Sequence, residues 1–334
     1  MGPEKPGGTT TMIFNMKTGR VENQYLSLVG TIRNCAGGIT PWNSWLTCEE
    51  DVTRGGPTVG LDHGWVFEVP AEHKGLVIPV ALRDMGRFNH EAAAIDPKTG
   101  IAYLTEDESN GIFYRFLPNA KGELAKGGRL QALVLKESPT GSDTRNWESI
   151  TLERGRPKSV LWIDVDGVDN PGNDMRLRLA AKGAALFARG EGIHFGKGEL
   201  YFTCTSGGVA KAGQVMRYRP SEYEGQQSEN DAPGTIDLFF ESSGRFESEY
   251  ADNLTIAPNG HLILCEDQGG DGPVDNHLRG IAPNGAIYPL ARLRTQTELA
   301  GACFSPDGST LFVNLYQPTK TLAITGPWNK VKVG

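Results

Sequence analysis

The chain repeats one short pattern six times, and this repeat restricts its possible folds more than any other feature. A turn that contains glycine, often Pro-x-Gly, leads into four or five apolar or β-branched residues, which often end in acids or hydroxyls. The copies are Trp45–Glu50, Ile101–Asp107, Ser159–Asp166, Glu199–Thr205, His261–Asp267 and Thr310–Asn314. They lie about 40 to 60 residues apart, which is the spacing of propeller blades.

The repeat predicts an all-β chain folded as a six-bladed β-propeller. A single blade is a small antiparallel sheet that cannot bury both of its faces, so blades stack around a central channel. The 43 glycines and 20 prolines suit many short strands joined by turns. In this interpretation the repeated strand is the innermost of each blade, and the active site lies at one mouth of the channel. An irregular β-sandwich is the alternative.

Composition along the chain suggests one domain preceded by a short disordered segment. We expect residues 1–10, which are rich in Gly, Pro and Thr, to be disordered, and residues 11–334 to form a single propeller. Closure of the ring of blades is predicted to pair Met12–Met16 with strands near Thr321–Thr325.

No signal-peptide core or twin arginine is present, so the sequence leaves open a cytoplasmic protein or one that has lost its targeting segment.

Charge and hydropathy exclude some classes of partner. A net charge of −7 argues against non-specific binding to nucleic acid or to an anionic membrane. No apolar run approaches the length of a membrane span. Five cysteines without close regular spacing make neither a disulfide framework nor a zinc finger. We expect a monomer that binds a small molecule.

Acidic clusters at strand ends are the strongest indication of function. They are Glu49/Glu50/Asp51, His90-Glu91, Glu106/Asp107/Glu108 and Glu266/Asp267. Crowded carboxylates repel one another unless a cation lies between them. Oxygen ligands in that number suit Ca2+ or ferric iron better than Zn2+, and a thiolate from Cys35 would favour a transition metal at one position. Solvated turn residues are the alternative.

Two details of these motifs refine the metal-site hypothesis. Alternation along a strand lets only one of Glu49 and Glu50 point inward, and the sequence leaves the choice open. Arg189 and Glu191 share a face of an extended segment, so the glutamate can hold a metal while the arginine binds an anionic oxygen. Asp252 and Asn253 form either an Asx turn or a further pair of oxygen ligands.

Several motifs resemble those of the PhoX-type alkaline phosphatases, and the resemblance runs from about Gly30 to Trp328. The longest is Cys-Ala-Gly-Gly-x-Thr-Pro-Trp-x-x-Trp-Leu-Thr-Cys-Glu-Glu, which begins at Cys35. The others are Gly86-Arg-Phe-x-His-Glu-Ala-Ala94, Tyr103-x-Thr-Glu-Asp107, Arg189-x-Glu-Gly-Ile193, Asp252-Asn-Leu, Cys265-Glu-Asp267 and Gly301-x-Cys-Phe-Ser-Pro-Asp-Gly…Gly326-Pro-Trp328.

The resemblance implies a propeller that hydrolyses phosphate monoesters with ferric iron (Fe3+) and calcium (Ca2+) at the channel mouth, in a periplasmic or secreted protein. Arg189 and Glu191 would be catalytic, and Arg189, Asp252 and Asn253 would bind the phosphate ester. The implied metal ligands are Cys35, Glu49, Glu50, Glu91, Glu106, Asp107, Glu191, Glu266 and Asp267. A calcium-dependent propeller hydrolase of the lactonase or phosphotriesterase type, and a non-catalytic binding propeller stabilised by calcium, are the alternatives.

Overall fold

The computed structural model describes residues 7–57, 59–268 and 273–328, and their regular secondary structure consists almost entirely of β-strands. The first twelve strands are β1 (Gly7–Asn15), β2 (Arg20–Thr31), β3 (Asn34–Ile39), β4 (Ser44–Glu49), β5 (Val66–Pro70), β6 (His90–Ile95), β7 (Ala102–Glu106), β8 (Gly111–Ile112), β9 (Tyr114–Pro118), β10 (Gly128–Leu135), β11 (Ser142–Asp143) and β12 (Lys158–Asp164).

The remaining strands follow in the second half of the chain. They are β13 (Ala185–Phe187), β14 (Gly190–Gly196), β15 (Glu199–Cys204), β16 (Gln214–Arg219), β17 (Thr235–Glu241), β18 (Ala251–Ile256), β19 (Leu262–Glu266), β20 (His277–Ile281), β21 (Ile287–Arg292), β22 (Leu299–Phe304), β23 (Thr310–Leu315) and β24 (Lys320–Thr325). Helical segments are the α-helix α1 (Met175–Ala180) and the 3-10 turns Arg83–Met85, Leu124–Lys126 and Gln227–Asp231. In the described ranges no helix is long and apolar enough to cross a membrane.

The strands form the radial sheets of a β-propeller. Besides the β1–β2 hairpin and the small sheet β11–β13–β8, the described residues contain five groups of antiparallel strands: β3–β4–β5, β6–β7–β9–β10–β12, β14 to β17, β18 to β21, and β22 to β24. The first three groups are joined into one twelve-stranded sheet, through β3 with β6 and through β12 with β17. The first strands of the five groups lie side by side in the order β3, β6, β14, β18, β22, and β3 pairs with β6 in parallel at Gly37 and Ala92. The predicted number of six blades stays a prediction.

The repeated segments are all strands, but their predicted innermost position is wrong. β4, β7, β15, β19 and β23 each lie second in their groups of strands, and the strand before each one is the inner strand. The sixth copy, β12, lies between β10 and β17, farther still from the inner strands. The second strand is the most apolar because neighbouring sheets cover both of its faces, as the fully buried β7 and β19 illustrate. Inner strands carry small residues where they crowd together: a Cβ on Gly38 would lie 1.8 Å from the carbonyl oxygen of Ala93.

The N-terminal segment also departs from its prediction. Gly7–Thr10, predicted to be disordered, lie in β1, which pairs with β2 along its length because Thr-rich β-branched sequence favours a hairpin. Residues 1–6 lie outside the described residues. The predicted pairing of Met12–Met16 with Thr321–Thr325 does not occur, since β24 pairs with β23. The rings of Phe14 and Phe312 do meet, with centroids 5.1 Å apart.

A buried ionic network joins the second and third sheets. The Arg115 guanidinium donates to Gln131 (2.8 Å), to Glu224 (2.6 Å) and twice to Glu229. Its charge lies 4.5 Å from the ring centroid of Trp162. The five donors of the guanidinium are therefore largely satisfied inside the protein, as burial of a charge requires.

Candidate metal centre

Each of the five inner strands contains a β-bulge at the same level. The register shifts lie between Cys35 and Gly38, His90 and Ala93, Gly190 and Ile193, Ala251 and Leu254, and Ala300 and Cys303. A bulge inserts an unpaired residue and re-aims its side chain. The first bulged residues are Ala36, Glu91, Glu191, Asp252 and Gly301. Three neighbouring strands, β6, β14 and β18, thus present a carboxylate at one level.

These carboxylates and the thiol of Cys35 form two overlapping groups of donors. One oxygen each of Glu91, Glu191 and Asp252 lie within 4.8 Å of one another. Cys35 Sγ and one oxygen each of Glu50 and Glu91 form the second group, within the same limit. Glu91 belongs to both groups, and Cys35 Sγ donates to Glu91 Oε1 at 3.0 Å. Two adjacent cations sharing Glu91 would be accommodated by this arrangement.

The electrostatics of the cluster favour a bound cation. Burial, reinforced by neighbouring carboxylates, raises the pKa of Glu91 and of Glu191 well above the usual value of a glutamate. The same causes raise the pKa of Asp252 to about 8, with the Arg189 guanidinium acting in the opposite direction. Positive charge placed among these groups would stabilise their ionised forms. The donor chemistry of the sulfur-containing group suits a transition metal, and that of the all-oxygen group suits a hard cation.

Three pairs of consecutive acids follow one rule, which resolves the open choice between Glu49 and Glu50. The second acid of each pair comes directly after the second strand of its sheet and turns toward the cluster. These acids are Glu50, Asp107 and Asp267. The first acid of each pair is the last residue of the strand and turns the other way. Glu50 is thus the acid that shares a donor group with Cys35.

Glu49, Glu106 and Glu266, predicted as ligands, are held by donors of the protein instead. Glu49 accepts the N–H groups of Ile32, Gly64 and Trp65 and lies 2.7 Å from His63 Nδ1. Glu106 accepts from Ile112 N and from the Tyr114 hydroxyl. Glu266 accepts from Glu249 N, His277 N and Arg279 Nε. None of the three belongs to either donor group of the described residues, because alternation points them away from the inner strands.

Arg189 is fixed beside the cluster by two carboxylates. Its Nε and Nη2 donate to the two oxygens of Asp107 at 2.7 and 2.8 Å, and Nη2 also donates to Glu191 Oε1 at 2.8 Å. The backbone of Arg189 has φ of 56°, a left-handed conformation that is uncommon for a side chain this large. Asp107, predicted as a ligand, is therefore the bidentate partner of the arginine and also hydrogen-bonds Glu50.

Asp252 and Asn253 are both predicted to bind substrate together with Arg189, but only Asp252 reaches the acidic donor groups. Asp252 is a member of the all-oxygen group. Asn253 Oδ1 instead accepts the N–H of Ala302 at 3.0 Å, so its side chain ties β18 to β22. The bulge separates the two because each of its residues points in a different direction.

Glu298 is a member of the acidic site that the sequence motifs did not reveal. It precedes β22, shares a hydrogen bond with Asp267, and burial together with that aspartate raises its pKa to about 7. Asp267 and Glu298 also contribute to the raised pKa of Asp252. Glu298 is a lone acid in Thr-Glu-Leu-Ala, outside any acidic cluster. The only signal in the sequence is its position before an inner strand, and the repeat pattern predicts the inner position for the following strand instead.

Comparisons with known proteins show which family and which solved structures this chain is similar to. The family model of alkaline phosphatase PhoX matches residues 7–319. The structure of Pseudomonas fluorescens PhoX in complex with vanadate, a transition state analogue, is similar with 20% identity and a TM-score of 0.63 over 92% of this chain and 70% of that chain.

Two other solved structures are similar with lower TM-scores. A gluconolactonase from Xanthomonas campestris shares 12% identity with a TM-score of 0.44, over 94% of this chain and 78% of that one. The Cps50 (Swd1) β-propeller domain of Myceliophteria thermophila shares 10% identity with a TM-score of 0.45, over 95% and 91%. No curated protein sequence matches the chain. Because the matched family model spans nearly all of the described residues, the chain belongs to the alkaline phosphatase PhoX family.

Proposed function

We propose that this protein is a metal-dependent phosphatase that hydrolyses phosphate monoesters, with ferric iron and calcium as its cofactors. The observation that carries the proposal is the meeting of Glu91, Glu191 and Asp252 on three neighbouring bulges, with donor atoms within 4.8 Å of one another. Buried like charges this close are stable only in protonated form or around cations. Family membership supports a phosphatase as the use of such a site.

The metal ligands we propose divide between two donor sets. Cys35, Glu50 and Glu91 would hold iron, because a thiolate among carboxylates suits a transition metal. Glu91, Glu191 and Asp252 would hold calcium, and Asp267 with Glu298 extends this all-oxygen region. When bound, the cations supply the positive charge that neutralises a phosphate dianion and polarises its phosphorus–oxygen bonds.

The protein's own contribution to the reaction would come mainly from Arg189. Its guanidinium is partly exposed beside the donor groups, and Nη1, which takes no part in the hydrogen bonds to Asp107 and Glu191, can donate its two N–H groups to oxygens of the transferred phosphoryl group. Asp107 and Glu191 orient the guanidinium, so it is in position before the substrate arrives. As charge builds on the phosphoryl oxygens in the transition state, a fixed cation stabilises it without reorganisation.

Family membership also supports action outside the cytoplasm, which fractionation of the native host would test.

The test is an assay of the full chain, purified without chelator, on p-nitrophenyl phosphate. We expect hydrolysis that EDTA abolishes and that added iron and calcium restore. Glu191→Gln should lose activity by at least about 100-fold, the scale of removing one electrostatic contributor, whereas Glu222→Gln, a change at an exposed glutamate, should not. Hydrolysis of a lactone or a phosphotriester, with none of the monoester, would favour the lactonase-type alternative. A folded protein inert to all three substrates would contradict the proposal.

A further inference from the structure

Cys35 and Cys48 face each other across the first sheet. They are a directly opposed antiparallel pair of β3 and β4. Side chains of such a pair lie on the same face, with Cα atoms about 4.5 to 5.5 Å apart. The neighbouring residues agree with this assignment, since Asn34 and Thr47 hydrogen-bond at 3.0 Å and so share the opposite face. The two thiols therefore point to the same side of the sheet.

The backbone spacing of this pair already suits a disulfide. Disulfides join Cα atoms about 4.4 to 6.8 Å apart, and the spacing of a directly opposed pair falls inside that range. Both cysteines are free thiols, and the paired strands already hold their backbones opposite each other. The other cysteines in second strands lack this arrangement: Cys204 is opposite Gly190, and Cys265 is opposite Leu278.

We propose that Cys35 and Cys48 form a redox modification site, in which a disulfide between them withdraws the Cys35 sulfur from the metal centre. Cys35 is half-buried and reaches Glu91 of the donor group, whereas Cys48 is fully buried and belongs to neither donor group of the described residues. The formation of the disulfide is inferred from strand geometry and does not rest on the proposed function. Its effect on metal binding rests on the proposed function, because it requires that Cys35 be a ligand.

The oxidant would be a peroxide, which balances the reaction in two steps. The Cys35 sulfur attacks the peroxide oxygen, giving a sulfenic acid and one water. The Cys48 sulfur then attacks the sulfenic sulfur, forming the disulfide and releasing a second water. The protein loses two electrons and two protons, and hydrogen peroxide is reduced. Burial and nearby carboxylates raise the pKa of both thiols, so oxidation should be slower than that of an exposed thiol.

The disulfide can be detected directly by mass. No Lys or Arg lies between Asn34 and Arg54, so trypsin leaves both cysteines in one peptide, residues 34–54. After treatment of the full-length protein with hydrogen peroxide and alkylation, we expect this peptide to be unalkylated and lighter by two hydrogens than the reduced, unalkylated form. Reduction should restore two alkylation sites. A peptide that still takes up two alkyl groups, or one in which either sulfur has gone on to sulfinic acid without pairing, would overturn the proposal.

Matched variants distinguish disulfide formation between Cys35 and Cys48 from general oxidation of the protein's thiols. Cys204→Ala removes a buried cysteine at the corresponding strand position that has glycine opposite, and it should leave the disulfide and its yield unchanged. Cys48→Ala should abolish the disulfide and expose Cys35 to irreversible oxidation. The wild-type mass measurement decides the proposal even if Cys48→Ala does not fold.

Metal content then tests the consequence of the bond. We expect bound iron to fall in proportion to the fraction of disulfide in the wild type and to return on reduction and reloading. Unchanged iron at full disulfide formation would show that Cys35 is not a ligand and would overturn the switch. A reduced protein without metal would contradict the proposed function, while the mass measurement would still decide the disulfide.

Discussion

Replacing Glu49 by alanine separates the structural role of this glutamate from the metal-binding role of its neighbour. The Glu49 side chain has no solvent exposure and accepts hydrogen bonds from three backbone N–H groups, at 2.8 to 3.1 Å. It also lies 2.7 Å from His63 Nδ1. Alanine leaves all of these groups without an acceptor at the end of β4.

The expected destabilisation follows from the number of N–H groups left unpaired. Each buried donor that loses its partner costs about 1 to 3 kcal/mol, so three donors should lower the free energy of unfolding by about 3 kcal/mol or more. For a domain larger than 150 residues, about 1 kcal/mol shifts Tm by about 2 to 4 °C, which gives a fall of about 6 to 12 °C.

Thermal unfolding in the presence of chelator measures this effect without a contribution from bound metal. The matched control is Glu50→Ala, which removes a carboxylate whose pKa burial and Asp107 raise to about 7. We expect it to leave Tm in chelator nearly unchanged while lowering the metal content of protein purified without chelator. An unchanged Tm for Glu49→Ala together with lost metal would refute the reasoning, since Glu49 would then be a ligand.

Three further predictions concern parts of the molecule outside this pair. Arg115→Met leaves two buried glutamates without their cation and should lower the free energy of unfolding by about 3 to 5 kcal/mol, measured by urea unfolding. An unchanged urea midpoint would show that the buried ionic network of Arg115 does not stabilise the fold. Burial lowers the pKa of His194 to about 4, so below the usual pKa of about 6.5 the unfolded chain binds a proton that the folded protein does not. Stability should therefore fall as pH drops from 6.5 to 4, and His194→Leu should flatten that slope. Glu298→Gln should lower bound calcium in elemental analysis, with the exposed Glu222→Gln as control.

The sequence was sufficient to predict the strands and the residue types of the site, because both depend on local pattern. Apolar segments after glycine turns became strands in all six copies. The shared face of Arg189 and Glu191 follows from extended backbone, and the two side chains do meet at 2.8 Å. The Cys35 motif likewise brought a thiol into the acidic cluster.

The arrangement of ligands was not predictable from local pattern, because it depends on pairing between distant segments. Either strand of a hairpin could face the propeller axis, and the more apolar one was wrongly expected there. The bulges are also silent in the sequence, although they aim Glu91, Glu191 and Asp252 at a common point. Glu106 and Glu266, like Glu49, are first acids of pairs in which both members are candidate ligands by sequence, and only the paired register reveals that these three face protein donors.

Elemental analysis of the full chain, purified without chelator, tests the metal centre most directly. We expect both iron and calcium bound to the wild-type protein, with iron lost in Glu50→Gln, calcium lost in Asp252→Asn, and both lost in Glu91→Gln, since Glu91 belongs to both donor groups. Stoichiometric metal retained in all three variants, or a folded wild-type protein that binds neither ion when both are supplied, would contradict this expectation.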